Sequence, residues 1–159
     1  MGRTYTHEIT EDDDGEKFTV AGWAHEIRDL GGITFIILRD RKGTMQLIFK
    51  QDEDEEMFDK AQRVGREDVI RATGTVEQND SAPGDRELHP DEFEIVAEAD
   101  SPLPLEISGN IDSDLSTRLD NRFMDLRQPE KHAIFSLRGK MIESMEEWVA
   151  DNDYIKINT

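Results

Sequence analysis

The sequence predicts a mainly β fold: a five-stranded barrel with one helix between its third and fourth strands, followed by a hinge and a long helix. Three observations predict it. Residues 18–50 contain three strand-like segments separated by turn residues. Residues 52–64 carry apolar side chains at helical spacing and precede two further strand-like segments. Residues 131–149 keep the helical apolar period of a long amphipathic helix.

The first three strands combine β-branched and aromatic residues with period-two alternation, the pattern of half-buried strands. By that alternation Trp23 and His25 share one face of the first strand, and Phe35 and Gln46 face each other across the next two. Gly31–Gly32 supplies turn chemistry because glycine adopts positive φ without a Cβ clash. The strands are expected at residues 18–28, 33–38 and 44–49.

The helix expected at 52–64 has acids in its first turn, where the helix dipole favours them, and Gly65 as its C-cap. A fourth strand is expected at 68–76 and a fifth at 93–97, separated by a polar loop. Three strands, a helix and two strands is the element order of an OB-fold, a barrel that binds oligonucleotides on its second and third strands. The order alone does not establish a function.

The chain is expected to divide into a barrel domain at 1–100, a hinge at 101–130 and a third segment at 131–159. Pro102, Pro104 and Gly109 indicate the hinge. The third segment is predicted to hold the long helix and a strand that begins at Tyr154.

The composition is strongly acidic, with 37 Asp and Glu against 19 Lys and Arg, a net charge of −18 and a pI near 4.5. Such a surface repels itself in dilute buffer and suits a salt-rich cytoplasm. An ordinary acidic protein is the alternative. There is no cysteine, no metal-ligand spacing and no membrane-length apolar run, so we expect no disulfide, metal or membrane anchor, and a cytoplasmic location.

Three side chains of the predicted barrel are candidates for nucleic-acid binding. Phe35 on the second strand would offer a base a stacking surface, and Gln46 and Arg28 could hydrogen-bond base edges. The alternative is that Phe35 belongs to the core and that the two polar residues are ordinary surface residues. Because the chain is acidic, we expect the phosphate-binding charge to be local, in a basic cluster of Arg28, Arg39, Arg41 and Lys42.

Several blocks of the sequence resemble one family. They are VAGWAHEIRDLGG at 20–32, FIILRDRKGTMQLI at 35–48 and TRLDNRFMDLR at 117–127, followed by the long helix and YIKINT. Together, from about Thr4 to Thr159, they resemble the N-terminal part of archaeal-type aspartyl-tRNA synthetases, which are class II enzymes. The first two blocks alone would also admit asparaginyl- or lysyl-tRNA synthetases.

The resemblance implies that the barrel binds the tRNA anticodon. Phe35 would then stack on the middle base, a uridine, with Gln46 and Arg28 as its hydrogen-bond partners. Glu87 is similar to the glutamate that contacts the first base. His25 and Pro83 correspond to the positions that govern the third base, and this pair resembles enzymes that charge both tRNA-Asp and tRNA-Asn.

The resemblance also implies a parent enzyme that is a homodimer and uses ATP and Mg²⁺ to attach aspartate to tRNA. The helix and strand of 131–159 resemble its first class II motif, and the motifs that bind ATP and aspartate are not in this sequence. The chain is therefore expected to bind tRNA without cofactor and without catalysing the reaction. Two other functions remain open: a stand-alone OB-fold protein that binds single-stranded nucleic acid, and an acidic scaffold that binds protein.

Overall fold

The computed structural model describes residues 2–107, 113–155 and 157, and it divides into two compact units, Met1–Ser101 and Pro102–Thr159. The first unit is a closed five-stranded barrel, which confirms the predicted OB-fold. The strands follow one another around the barrel in the order β1-β2-β3-β5-β4, and β4 pairs back onto β1. All neighbours are antiparallel except β3 and β5. The strands are β1 Lys17–Asp29, β2 Ile33–Arg39, β3 Thr44–Lys50, β4 Val69–Gln78 and β5 Arg86–Ala97.

The barrel interior is filled by aliphatic side chains and two phenylalanines that pack edge to face, with ring centroids 4.8 Å apart. The predicted helix lies between β3 and β4 as α1, Glu55–Ala61, and is shorter than the expected 52–64. Asp54 is the reason, because its side chain accepts a hydrogen bond from the backbone N–H of Met57 and caps the helix there. Phe58, Ala61 and Val64 join the core from this segment.

The fifth strand begins at Arg86, seven residues earlier than the sequence predicted, so the polar loop before it is confined to residues 79–85 and is shorter than expected. Pro90 concealed this start, because proline cannot donate to a ladder. The structure accommodates it at an irregularity, where the register of β4 against β5 shifts between Thr73 and Gly74. A Cβ at Gly74 would overlap the carbonyl oxygen of His89, so glycine permits this close approach.

A β-bulge at His25 also departs from the predicted alternation of β1. The register against β2 shifts between Ala24 and Glu26. Ala24 lies in the core, and after the bulge Ile27 packs against the core while Glu26 is exposed. Strict period-two alternation would place Glu26 on the same face as Ala24, so the alternation predicted for the first strand fails at His25. The extra residue of a bulge changes the phase of the side chains, which period-two alternation cannot anticipate.

The described residues of the second unit form three helices: α2 Leu115–Asp120, α3 Arg122–Asp125 and α4 Pro129–Asp151. Leu105, Ile107 and Met124 form its small core. The predicted hinge residue Gly109 and the Lys156 position of the predicted final strand lie outside the described residues; Tyr154 and Ile155, which are described, are not in a strand. Within the described part, no helix is long and apolar enough to cross a membrane.

Apolar side chains along α4 are exposed, including those of its predicted apolar stripe. They are at least half accessible at five positions: Ile134, Leu137, Met141, Met145 and Trp148.

Candidate nucleic-acid interface

The outer face of β1, β2, β3 and β5 collects most of the residues that the sequence singled out. Phe35, Ile37 and Arg39 alternate on β2 with core residues and are absent from the core cluster. Phe35 pairs with Ile48, and Ile37 pairs with Gln46. The prediction that Phe35 and Gln46 lie opposite each other is therefore wrong. They lie on the same face, two positions apart along the strands. Phe35 is half-buried, with part of its ring surface left to solvent.

Arg28 lies beside Phe35, because the two residues are directly paired between β1 and β2. Its Nε donates to Oε1 of Glu26 over 2.8 Å, and both side chains are at least half exposed. This hydrogen bond is the main reason that the pKa of Glu26 is held below its usual value. An exposed ion pair of this kind is worth little to stability, so Arg28 can exchange its partner at small cost.

Gln46 and Glu87 lie side by side where β3 and β5 run parallel. Nε2 of Gln46 donates to Oε2 of Glu87 over 2.8 Å, and both residues are buried. The other carboxylate oxygen of Glu87 lies 3.2 Å from Nε2 of His89, which is also 3.3 Å from the exposed carboxylate of Glu77. A buried carboxylate thus orients an amide on the same face as Phe35.

His25 lies on the bulge of β1 against a buried ion pair. Nη2 of Arg39 donates to both carboxylate oxygens of Glu67, at 3.1 and 2.9 Å, and Nη1 of Arg39 is 3.1 Å from Nδ1 of His25. The Arg39 guanidinium also lies 5.6 Å from the ring centre of Trp23. About a quarter of the His25 side chain is exposed, whereas that of Glu67 is almost fully buried.

Pro83 is exposed in the turn between β4 and β5. The turn is anchored by Arg86, which donates from Nη1 to the carbonyl of Gly84 and from Nη2 to that of Thr6. The backbone N–H of Thr6 in turn donates to Asp40, the residue after β2. This chain of contacts links the Pro83 turn to the end of β2 where Arg39 and His25 meet.

The predicted basic cluster is divided by the structure. Arg28 lies near the end of β1, paired with Phe35 of β2, whereas Arg41 and Lys42 lie in the turn after β2. Arg39 is held by Glu67 and cannot serve as a free cation.

A different cluster of cationic and aromatic side chains forms near the turn that follows β2. The guanidiniums of Arg3 and Arg41 lie 4.5 and 4.6 Å from the ring centre of Tyr5. Within the described residues, Arg3, Arg41 and Lys42 form no ion pair. We name Arg3, Tyr5, Arg41 and Lys42 the tyrosine–arginine cluster.

Three residues that contact the candidate residues were not identified from the sequence: Glu67, His89 and Tyr5. Glu67 adopts φ of 67°, an uncommon conformation for a residue other than glycine, and nothing in the local sequence signals it. His89 would have been found by alternation with Glu87 had the true start of β5 been recognised. Among the described residues, no group of three His, Asp or Glu side chains is arranged to hold a metal ion.

Two family descriptions match the chain. Residues 18–96 match the OB-fold nucleic acid binding domain of the tRNA anticodon type, and residues 114–159 match the class II tRNA synthetases for D, K and N. The first match covers β1 to β5 apart from the strand ends, and the second covers α2 to α4.

Curated relatives give the same assignment. The chain is 42% identical over 158 residues to the aspartate–tRNA(Asp/Asn) ligase of Archaeoglobus fulgidus, and the aligned region covers 99% of this chain and 37% of that protein. It is 46% identical over 158 residues to the ligase of the same name from Natronomonas pharaonis, covering 99% of this chain and 36% of the relative. The chain thus spans little more than a third of the length of these relatives.

A solved structure agrees. Asparaginyl-tRNA synthetase from Pyrococcus horikoshii, in complex with asparaginyl-adenylate, superposes with a TM-score of 0.86 at 26% identity, covering 99% of this chain and 36% of that one. The two family matches, the relatives and this structure point to the same kind of protein. The chain therefore joins an anticodon-binding OB-fold to part of a class II synthetase domain, and it belongs to the aspartate–tRNA ligase family.

Proposed function

We propose that the barrel binds the anticodon loop of tRNA-Asp and of tRNA-Asn for an aspartate–tRNA ligase. The observation that carries the proposal is one continuous outer face on which a half-buried ring, Phe35, lies beside Arg28 and near a buried amide–carboxylate pair, Gln46 and Glu87. Stacking surfaces combined with oriented hydrogen-bonding groups are how proteins recognise unpaired RNA bases.

The middle base of the anticodon is assigned to Phe35, Gln46 and Arg28. Because Nε2 of Gln46 already donates to Glu87, its Oε1 is the group left to accept a hydrogen bond. Uracil has an N3–H donor at the matching position, whereas cytosine has an acceptor there. Arg28 supplies a donor for a uracil carbonyl once it leaves Glu26.

The first base is assigned to Glu87, whose oxygens each retain a second lone pair after meeting Gln46 and His89. A guanine presents N–H donors from which a carboxylate accepts hydrogen bonds.

The third base is assigned to His25 and the Pro83 turn. The relatives from Archaeoglobus and Natronomonas are both named as ligases for tRNA(Asp/Asn), which supports acceptance of C and U at this position.

The full-length enzyme would attach aspartate to tRNA in the cytoplasm as a homodimer, using ATP and Mg²⁺. Those groups would be bound by the catalytic domain, of which this chain carries only the part that begins at α2. Because the chain matches the class II synthetases only over residues 114–159 and spans little more than a third of the length of its relatives, we expect the 159-residue chain to bind tRNA without forming aspartyl-adenylate.

A stand-alone single-stranded nucleic-acid-binding protein is the other candidate that the barrel would allow. It does not account for residues 114–159, which match the class II synthetases, nor for relatives that extend over almost the whole chain. An acidic protein-binding scaffold fails on the same two observations.

Binding of RNA by a chain of net charge −18 needs a local source of positive charge. The tyrosine–arginine cluster meets this need, because its three cations have no carboxylate partner among the described residues. We propose that it contacts phosphates, and that the acidic remainder reflects adaptation to a salt-rich cytoplasm in an archaeon. At high salt the phosphate contribution shrinks, so base contacts supply more of the affinity.

The test is direct binding of the purified chain to anticodon stem-loops at molar KCl. We expect loops with GUC and GUU to bind with similar affinity, and a change of the middle U to A or C to weaken binding by about tenfold or more. Equal binding of all loops, or binding of unstructured oligonucleotides as tight as that of the GUC loop, would contradict the proposal. A second assay, aspartate-dependent ATP–pyrophosphate exchange, should give no signal with this chain.

A further inference from the structure

The ion pair of Arg39 and Glu67 is buried beside the partly exposed ring of His25, a residue that the proposed function places at the third base. Glu67 is fixed by backbone bonds as well as by its side chain. Its N–H donates to the carbonyl of Ala24 over 2.7 Å, and the N–H of Ala24 donates to the carbonyl of Asp68 over 2.9 Å. The residue just before the bulge and the carboxylate that holds Arg39 are thereby parts of one rigid arrangement.

Arg39 controls the chemistry of the imidazole because a guanidinium is always a donor. Nδ1 of His25 lies 3.1 Å from Nη1 of Arg39, where it is placed to accept a hydrogen bond, and 3.9 Å from Oε1 of Glu67, which is too far for Nδ1 to donate to that carboxylate instead. In a neutral imidazole the proton is then on Nε2. Among the described residues Nε2 has no partner, so this N–H is the polar group that His25 offers to a ligand.

We propose that the Arg39–Glu67 pair is a positioning device that fixes His25 as an Nε2–H donor, and that this donor accepts C and U equally at the third anticodon position. The inference rests on the proposed function. Cytosine and uracil differ at N3 and at carbon 4, where donor and acceptor are exchanged, but both carry the O2 acceptor. A fixed single donor directed at O2 is satisfied by either base, and it offers nothing that favours the group at carbon 4 of one base over the other.

The arrangement also explains why the pair is buried. A histidine free to exchange tautomers would present an acceptor part of the time, and an acceptor repels O2. Glu67 prevents this by holding Arg39 with two hydrogen bonds in a site that excludes most solvent. Trp23 covers the guanidinium at 5.6 Å, within the range of a cation–π contact.

The first test is the tautomer itself, measured by ¹⁵N NMR of the imidazole groups, with His25 assigned by the His25→Gln variant. We expect Nε2–H for His25 in the unaltered chain. The double variant Arg39→Met with Glu67→Gln removes both charges together and leaves no unpaired buried ion, and we expect its His25 to exchange between tautomers. A wild-type His25 protonated on Nδ1, or already in exchange, overturns the inference, and this measurement does not require the variant to fold.

The second test uses stem-loops with one of four nucleotides at the third anticodon position: C, U, pyrimidin-2-one or an abasic residue. Pyrimidin-2-one keeps O2 but has no group at carbon 4. The unaltered chain should bind the first three alike and the abasic loop about three- to tenfold more weakly, the effect of one hydrogen bond. The folded double variant should lose that preference while still distinguishing the middle base. The matched control, Arg71→Met with Glu94→Gln, alters an exposed pair on β4 and β5 and should behave as wild type.

The outcomes separate the two proposals. A folded double variant that keeps the preference for a pyrimidine over the abasic loop overturns the positioning role while the anticodon proposal stands. If the affinity of the wild-type chain does not change with the base at any of the three anticodon positions, both the proposed function and this inference are wrong.

Discussion

Gln46 donates from Nε2 to Oε2 of Glu87 over 2.8 Å, across the one parallel pair of strands in the barrel. Both side chains are buried, so the amide cannot rotate without leaving a carboxylate oxygen unsatisfied. Its Oε1 is thereby fixed as the acceptor on this face. The pair gives the barrel a chemical preference for a base that carries an N–H donor.

We therefore predict that Glu87→Gln reduces the preference for U over C at the middle base. A glutamine at this position can donate or accept, so the Gln46 amide can reverse and present Nε2 to the N3 acceptor of cytosine. We expect the U-to-C affinity ratio to fall by about fivefold to tenfold, roughly one hydrogen bond. Stem-loops that differ only at the middle base provide the measurement.

Glu77→Gln is the matched control for that variant. Glu77 also lies near His89, at 3.3 Å, but its side chain is more than half exposed and it is not bonded to Gln46. It should leave the ratio unchanged. Equal effects of the two variants would show that the change in charge near His89, and not the orientation of Gln46, controls the preference.

Phe35→Ala should weaken binding of the GUC stem-loop by about 1–3 kcal/mol, the usual effect of losing one base stack. The barrel should stay folded, because Phe35 is half-buried and lies outside the core cluster. Affinity by fluorescence anisotropy, with circular dichroism as the folding check, measures both. Phe123→Ala, at an exposed ring of the second unit, is the control. An unfolded Phe35 variant would assign this ring to the core instead.

Much of the barrel was predictable from sequence because its strands alternate cleanly and their turns use glycine and aspartate. The errors fall where one residue breaks the alternation. Pro90 hid the first half of β5, and the bulge at His25 changed the phase of β1. Both features are set by pairing with a neighbouring strand, which is tertiary information that a local pattern does not contain.

The candidate site, like the barrel, was only partly predictable from the sequence. Phe35 and Gln46 were expected to face each other; they share a face but lie two positions apart, and Arg28 pairs with Phe35. Glu67 could not be predicted, because it reaches Arg39 from 28 positions away along the chain. Glu87 was identified by resemblance, but its hydrogen bond to Gln46, 41 positions away, could not be predicted. Buried acids in a chain with 37 acidic residues have no distinguishing signal in the sequence.

The tyrosine–arginine cluster predicts how RNA affinity depends on salt. Replacing Arg3 and Arg41 by glutamine should make the plot of log K against log salt shallower by about one to two units, because each lost phosphate contact contributes about 0.7–0.9. The loss should be the same for every anticodon sequence. Arg63→Gln with Arg71→Gln removes the same charge elsewhere on the barrel and should preserve the slope. Identical slopes for the two double variants would show that the cluster does not contact phosphate.

A pH dependence is expected in the second unit. Nε of Arg118 donates to the buried carboxylate of Asp125 over 2.8 Å, and this bond holds the pKa of Asp125 below its ordinary value of 3.8. A carboxyl group with a lowered pKa in the folded state stabilises that state above its ordinary pKa, and the contribution is lost as the pH falls through the lowered value.

Asp125→Asn should therefore destabilise this unit near neutral pH by about 1.5–3 kcal/mol, the value of a hydrogen bond to a charged group. The difference between variant and wild type should shrink as the pH falls from about 5 to about 2. Hydrogen exchange of the backbone amides of α2 and α3 reports on this unit separately from the barrel. A difference that stays constant over that range would assign the effect to packing and not to the ion pair.

Stability of the whole chain should rise steeply with salt. With a net charge of −18, self-repulsion acts over about 30 Å at 0.01 M salt and over only about 3 Å at 1 M. The Tm should accordingly increase between 0.01 and 1 M KCl, and the increase should not be reproduced by sucrose at matched water activity.

The triple variant Asp12→Asn, Asp52→Asn and Asp59→Asn removes three exposed charges, so its Tm should be higher at low salt and should depend less on KCl. A wild-type Tm that is flat in KCl, or a triple variant with an unchanged salt dependence, would show that the acidic surface is not under electrostatic strain and would remove the argument for adaptation to a salt-rich cytoplasm.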